Sequence, residues 1–334
     1  MFKKIMAKFG IGAASVDLRL DRDGFRLGEE VTGTIHIEGG AVEQSISQLS
    51  VLLVLKAQVK GQSVSRTVAT IPVLKSFTVG PKPFVQEVPF RYLLPHDLAI
   101  SSPSIGYHLQ TVLDVELAVD PTDLDRIEVL PSVPVHRTLQ ALERLDLRHK
   151  PDSGKLTRCG QEFAFFPGRP FSQNLRELEV IFYEGSEGLR LLIELDVMQG
   201  TLFRHERETK AEILIPNELL ADDSVEKLSQ FLHEKIEFFL NNPQAIPYVP
   251  FSRYGGPGSY YSGGHGSHAM GSLMGAMAVG LIGSVLLSEI VYRADELAED
   301  SLIGDDEGIF TDDDDDSGDY DSGDDGGDFG GFDE

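Results

Sequence analysis

Nine histidines stand at positions 36, 96, 108, 136, 149, 205, 233, 265 and 268, and one cysteine at Cys159. Imidazole moves protons near neutral pH and binds transition metals, so these positions come first. Their spacing gives neither chemistry a framework. None forms an HExxH pair, which would set two imidazoles on one helix face beside a general base, and no serine occupies a GxSxG elbow. His265 and His268 form an i, i+3 pair that could bind a transition metal, but they stand in Gly-rich sequence with no carboxylate nearby. Cys159 has no His or second Cys at ligand spacing and reads as a small packing residue on or beside a strand. A lone cysteine excludes an internal disulfide framework and fits a reducing compartment. The expectation is therefore no catalytic, cofactor-binding or metal-binding residue and no cofactor. A hydrolase or metalloenzyme would need distant His and carboxylate residues to converge in a pocket.

Two glycine and aspartate segments invite other chemistry. Gly255-Gly256-Pro257-Gly258 and Gly263-Gly264 lack the preceding strand and the Lys-Ser or Lys-Thr of a phosphate cradle, so they read as linker. Tyr260 and Tyr261 belong to that linker rather than to a base-stacking platform. The Asp312–Asp316 run collects counter-ions. It lacks the alternating ligands and the closing bidentate acid of an ordered calcium loop. Its other use is as an electrostatic tether to a basic partner, or as a competitor for a basic surface on this same chain.

The charge that such a tether needs is concentrated in one place. The 334 residues carry 54 acidic and 29 basic side chains, a formal net charge of −25. Nineteen of the acidic residues lie in Asp295–Glu334, where there is no Lys or Arg. The first 294 residues keep 35 acidic against 29 basic, an ordinary globular balance. No net positive footprint exists for nucleic acid.

From Ser15 to about Leu130 the pattern has period two, broken by turns. Val16–Leu20, Val31–Glu38, Ile46–Val59, Val85–Leu93, Tyr107–Val119 and Ile127–Leu130 read as strands, and Asp21–Gly24 as a turn. Short strands punctuated by Gly and Pro predict an antiparallel sandwich, and the absence of alternating helices argues against a doubly wound parallel sheet. Val135–Leu145 then switches to helical spacing, with 135, 139, 142 and 145 in one stripe behind Pro131 and Pro134. Strands resume at Gln161–Phe166, Leu175–Tyr183, Leu189–Val197 and Lys210–Ile215, with Glu184–Gly188 as a hairpin loop. Val225–Leu240 predicts a helix with Val225, Leu228, Phe231, Leu232, Ile236 and Phe239 inward. Asp223 and Glu226 are its candidate capping box, and Asn241-Asn242-Pro243 its stop. Folded structure is expected to end near Pro250.

The organisation expected is a sandwich over 1–132, a second sandwich with helices over 133–250, a Gly/Ser/Tyr linker over 251–268, a small-residue apolar helix over 269–294 and an acidic disordered tail over 295–334. Ala269–Ser288 holds 20 uncharged residues, with Gly271 and Gly275 opening a small-residue stripe. That length would span a bilayer core of roughly 30 Å. Its seven strongly apolar residues supply only about −3 kcal/mol towards insertion. Two readings stand: a soluble helix that self-associates or docks on the β domains, and a membrane-associated helix. At the other end, Phe2, Ile5, Met6 and Phe9 face away from Lys3, Lys4 and Lys8 on a short amphipathic helix. Such a helix would pack on the first domain or touch a membrane surface. No apolar run there is long enough for a secretory signal.

Several short motifs recur in a fixed order. They are Lys8-Phe9-Gly10-Ile11-Gly12-Ala13-Ala14-Ser15-Val16-Asp17, Gly28-Glu29-Glu30-Val31-Thr32-Gly33, Ile37-Glu38-Gly39-Gly40, Tyr92-Leu93-Leu94-Pro95, Ala118-Val119-Asp120-Pro121-Thr122-Asp123 and Ile127-Glu128-Val129-Leu130-Pro131. Phe163-Ala164-Phe165 and Leu178-Glu179-Val180-Ile181-Phe182 follow in the second half. Together they resemble the bacterial sporulation-control family, stage 0 sporulation protein M, over roughly residues 1–245. The resemblance implies an arrestin-like pair of β-sandwich domains in the cytoplasm, working by protein contacts rather than catalysis. In sporulating bacteria it implies a link to early sporulation, cell division and envelope-associated machinery; relatives also occur in bacteria that do not sporulate. The Gly-rich and acidic tail departs from the short family form. The function expected is a regulatory adaptor with other proteins as partners. The alternative is a membrane-associated scaffold tethered or oligomerised by 269–288.

Overall fold

The computed structural model describes residues 12–59, 61–116, 119–157, 160–199 and 205–242. The expected N-terminal helix, Cys159, the His265–His268 pair, the apolar run 269–288 and the acidic tail lie outside the described residues.

Eight strands come first: β1 (Ser15–Leu20), β2 (Gly24–Arg26), β3 (Glu30–Glu38), β4 (Gln44–Val59), β5 (Gln62–Val79), β6 (Val85–Leu93), β7 (Ile105–Val115) and β8 (Thr122–Leu130). They make a three-stranded sheet in the order β1-β3-β6 and a five-stranded sheet in the order β2-β8-β7-β4-β5. The period-two pattern places alternate side chains on one face. In β3 those are Val31, Gly33, Ile35 and Ile37, and in β7 Ile105, Tyr107, Leu109, Thr111, Leu113 and Val115, all buried. Pressed together, the two apolar faces form the core of a sandwich. Tyr107 is wholly buried there and its hydroxyl donates to the Ala99 carbonyl at 2.8 Å, which relieves the cost of taking it out of water.

Four details differ from expectation. The strand expected over Ile127–Leu130 already begins at Thr122. The strand expected to run to Val119 stops at Val115. Residues read as leading out of a turn form β2, which pairs in parallel with β8 through Phe25 and Val129; three residues are too few to show a period. The 18-residue β5 was not expected at all. It lies at the edge of its sheet and is largely exposed, so selection for alternating apolar residues is weak along it. Pro72 within it stands opposite Ser50, beside a shift of register at Leu49/Ser50; an edge strand accommodates the missing N–H.

The second half opens with α1 (Val133–Arg144), capped by Ser132, with Pro134 in its first turn where no N–H is required. Then follow β9 (Leu147–His149), β10 (Lys155–Thr157), β11 (Gly160–Pro167), β12 (Leu175–Gly185), β13 (Gly188–Gln199), β14 (His205–Pro216), α2 (Asn217–Ala221) and α3 (Val225–Asn241). The strands pair antiparallel in one six-stranded sheet, β10-β11-β12-β13-β14, with β9 on β11. The expected hairpin closes at Gly185–Gly188. Gly188 has φ +143° and a Cβ there would lie 2.0 Å from the Ile215 carbonyl oxygen, so no other residue fits. Leu178, Val180 and Phe182 on β12 and Leu191, Ile193 and Leu195 on β13 belong to the same apolar core as Leu232 and Ile236 of α3.

The cap of α3 corrects the sequence reading. Ser224, not Asp223, is the N-cap, its hydroxyl accepting from Lys227 N at 3.3 Å, while Asp222 accepts from Ser224 N at 2.9 Å. Asp223 instead receives the guanidinium of Arg137 from α1. Tertiary pairing decided between two adjacent cap-forming residues.

Gln161 joins the two halves. Its Oε1 accepts from Ile100 N at 2.7 Å, and its Nε2 donates to the carbonyls of Ile100 at 2.8 Å and Gly154 at 2.9 Å. The side chain is wholly buried, and Ser102 also donates to the Gly154 carbonyl at 3.0 Å.

Candidate interaction surface

The structure spreads the histidines it describes across the fold. His36 on β3 pairs with Glu87 at 3.3 Å, His96 lies over Gly28, and His233 on α3 meets Glu237 at 3.3 Å and the ring of Phe171. His136 is half-buried on α1 and His205 opens β14. Among the described residues no three His, Cys, Asp or Glu side chains cluster so as to hold a metal ion. Nor is any described helix long and apolar enough to cross a membrane.

One constellation comes near to catalytic form. His149 Nδ1 lies 2.8 Å from Ser153 Oγ, and His149 Nε2 lies 3.8 Å from Glu143. The serine hydroxyl also accepts from Ala164 N at 3.1 Å and is buried, while the imidazole tilts against Phe165 with ring centres 4.5 Å apart. Burial holds the His149 pKa below its ordinary value, with Glu143 opposing weakly. A nucleophile must face substrate; this hydroxyl is tied into the β9–β11 corner, and its chemistry is structural.

The five-stranded sheet offers a surface of another kind. Its inner face is the sandwich core; its outer face carries half-buried and exposed side chains. Cross-strand register places Val54 of β4 opposite His108 of β7, and His108 opposite Arg126 of β8. The next row is Leu52, Gln110 and Leu124, and the row on the other side begins with Lys56 and Gly106. A Cβ at Gly106 would meet nothing within 4 Å, which marks open space there. Leu124 is 53% exposed, among the most exposed large apolar residues of the described chain. Around it, Leu52, Val54 and Val112 are half-buried, and Lys56 and Arg126 are exposed.

The electrostatics of this face are local. Burial holds the His108 pKa below its ordinary value, and the positive charges of Lys56 and Arg126 push the same way. Its Nδ1 is buried with no hydrogen-bond partner. Asp123 and Asp125 of β8 alternate to the other side. Asp123 accepts from Leu18 N of β1 at 2.8 Å, and Asp125 beside it is pushed up to about 7 by burial and by the Asp123 charge. A strand with period two thus sends Asp123 and Asp125 inward and Leu124, Arg126 and Glu128 outward.

The six-stranded sheet holds a carboxylate cluster of another kind, with Glu162 and Glu194 buried. Lys155 reaches Glu162 at 2.9 Å and Lys210 reaches Glu194 at 3.2 Å, while Glu179 stands between them, directly opposite Glu194. Glu177, held by Lys150 at 2.6 Å, and Glu208, hydrogen-bonded to Glu194, crowd the same cluster. Burial, then the Glu162 charge, pushes Glu179 up to about 7.

Sequence reading counted His108 among dispersed histidines and did not single out Lys56, Leu124 or Arg126. Alternation along β7 is visible in the sequence, but the strand expected over Ile127–Leu130 leaves out Leu124 and Arg126, and the register with β4 is not visible.

A sequence model of the Spo0M family (SpoOM protein) matches residues 2–199, more than half of the chain. The chain belongs to the Spo0M family. The sporulation-control protein spo0M of Bacillus subtilis (strain 168) is 35% identical over 207 residues, spanning 58% of this chain and 80% of that protein. The crystal structure of Spo0M, sporulation control protein, from Bacillus subtilis superposes with a TM-score of 0.55 at 28% identity. It covers 69% of this chain and all of that one. The family likeness expected from the short motifs is thereby established, and with it the β-rich antiparallel fold. The family match ends before α2 and α3 begin.

Proposed function

We propose that this chain is a cytoplasmic, non-catalytic regulatory adaptor of sporulation-control type that acts through protein contacts. Its modules in this reading are residues 1–132 and 133–250, and its principal docking face is the outer surface of the five-stranded sheet. The observation that carries the reading is Leu124, exposed at 53% on the same sheet face as Arg126 and diagonal to His108. An exposed apolar anchor beside a charged side chain on a sheet face is what a protein partner can bury. The name of the Bacillus subtilis relative supports the regulatory role.

The test is recovery of partners from the native organism, by mild crosslinking, with wild-type chain and with Leu124→Asp. The variant keeps its fold because residue 124 points away from the core. Loss of a specific partner set with Leu124→Asp is the expected result. Equal recovery by both chains would refute the assignment of this face.

A further inference from the structure

We propose that the chain's own acidic segment, residues 305–334, docks on the outer face of the five-stranded sheet and covers it in the absence of a partner. The proposal rests on the reading of that face as a contact surface and names its resident occupant.

Charge complementarity carries the argument. Among the described residues, neither Lys56 nor Arg126 has a carboxylate partner, and the ring nitrogen of His108 between them is unsatisfied. Glu128 is the one carboxylate near them on β8. Asp114 on β7 stands six residues from His108, roughly 20 Å away along the strand. Asp123 and Asp125 point inward. Residues 305–334 bring 15 carboxylates, no Lys or Arg, and four aromatic rings at Phe310, Tyr320, Phe329 and Phe332. Acid would meet the basic cluster while an aromatic ring covers Leu124 and Val54.

Reach is no obstacle. Residues 242–304 separate α3 from the segment, 63 positions. Even at the roughly 1.5 Å per residue of a helix, that many positions can span about 90 Å. Attachment to the same chain sets an effective concentration near the millimolar range, so a weak contact suffices to cover the face. A partner must then outcompete the segment.

The experiment compares full-length wild type with a full-length chain in which every Asp and Glu of 305–334 is changed to Asn or Gln. Two readouts are taken at low salt: the NMR titration of the His108 ring and the acylation rate of the Lys56 amine by a soluble active ester. With the segment docked, a carboxylate near His108 raises its pKa, so neutralising the segment should lower it by about one unit. Lys56 should become several-fold more reactive, and both differences should disappear in 1 M salt. Identical titration and labelling in the two chains overturn the proposal. So does a difference that grows with protein concentration, which assigns the contact to a second copy. So does a His108 shift obtained with phosphatidylglycerol vesicles but not with the segment, which assigns it to lipid. Arg126→Glu in the wild-type chain should reproduce the Lys56 exposure. If segment docking fails while Leu124→Asp still loses its partners, only this inference falls.

Discussion

Glu179→Gln should stabilise the protein at pH 8 and do so less and less as the pH is lowered. Glu179 lies on β12 between Glu162 and Glu194, whose lysine partners are already engaged, and its pKa moves from the ordinary 4.5 to about 7. At about 1.36 kcal/mol per unit, a shift of that size corresponds to roughly 3.4 kcal/mol against the ionised folded state. Glu179 is only half-buried, and solvent screening reduces this to about 1–2 kcal/mol. The folded pKa lies above the unfolded one, so the folded state binds this proton more tightly. The penalty is therefore complete above pH 7 and fades as the pH falls towards 4.5. Glutamine removes the charge and keeps the shape. Urea unfolding of both full-length chains should show a midpoint gain at pH 8, with unchanged slope, that vanishes near pH 4.5. Titration of the acidic tail is common to both chains and cancels. A variant that is less stable at pH 8, or a gain that is the same at both pH values, refutes the argument that ionisation is the cost.

Other substitutions test other joints. Gln161→Ala strands the buried N–H and carbonyl of Ile100 and should cost about 2–4 kcal/mol, with faster amide exchange at Ile100. An unchanged melting temperature would mean that this side chain does not hold the halves together. Ser224→Ala should cost about 1 kcal/mol in thermal unfolding and Asp223→Ala less than about 0.5, since only the serine caps α3. The reverse order would restore the capping box at Asp223. Ser153→Ala should cost about 1 kcal/mol through the Ala164 N–H, as for any buried hydrogen-bond group.

Legibility in the sequence followed burial. α3 was readable because Leu228, Leu232, Ile236 and Phe239 return at helical spacing and pack on one core. β3 was readable because Val31, Ile35 and Ile37 alternate into another. β5 was not, because an edge strand with both faces largely wet has no reason to alternate. The candidate surface was illegible for a different cause. Lys56, His108 and Arg126 are separated by 52 and 18 positions, and nothing local states that β7 lies between β4 and β8.

By itself, the sequence determined the all-β class, the two helices, the family and the confinement of excess negative charge to the last 40 residues. Each is a property of nearest neighbours along the chain: period, punctuation, composition or short ordered motifs. Tertiary structure alone decided which strands pair, that Ser224 rather than Asp223 caps α3, and that Gln161 bridges the halves. It also decided that β8 turns Asp123 and Asp125 inward while presenting Leu124 and Arg126 beside His108. Register across a sheet is settled by which apolar face finds the core, and that choice is made between segments distant in sequence.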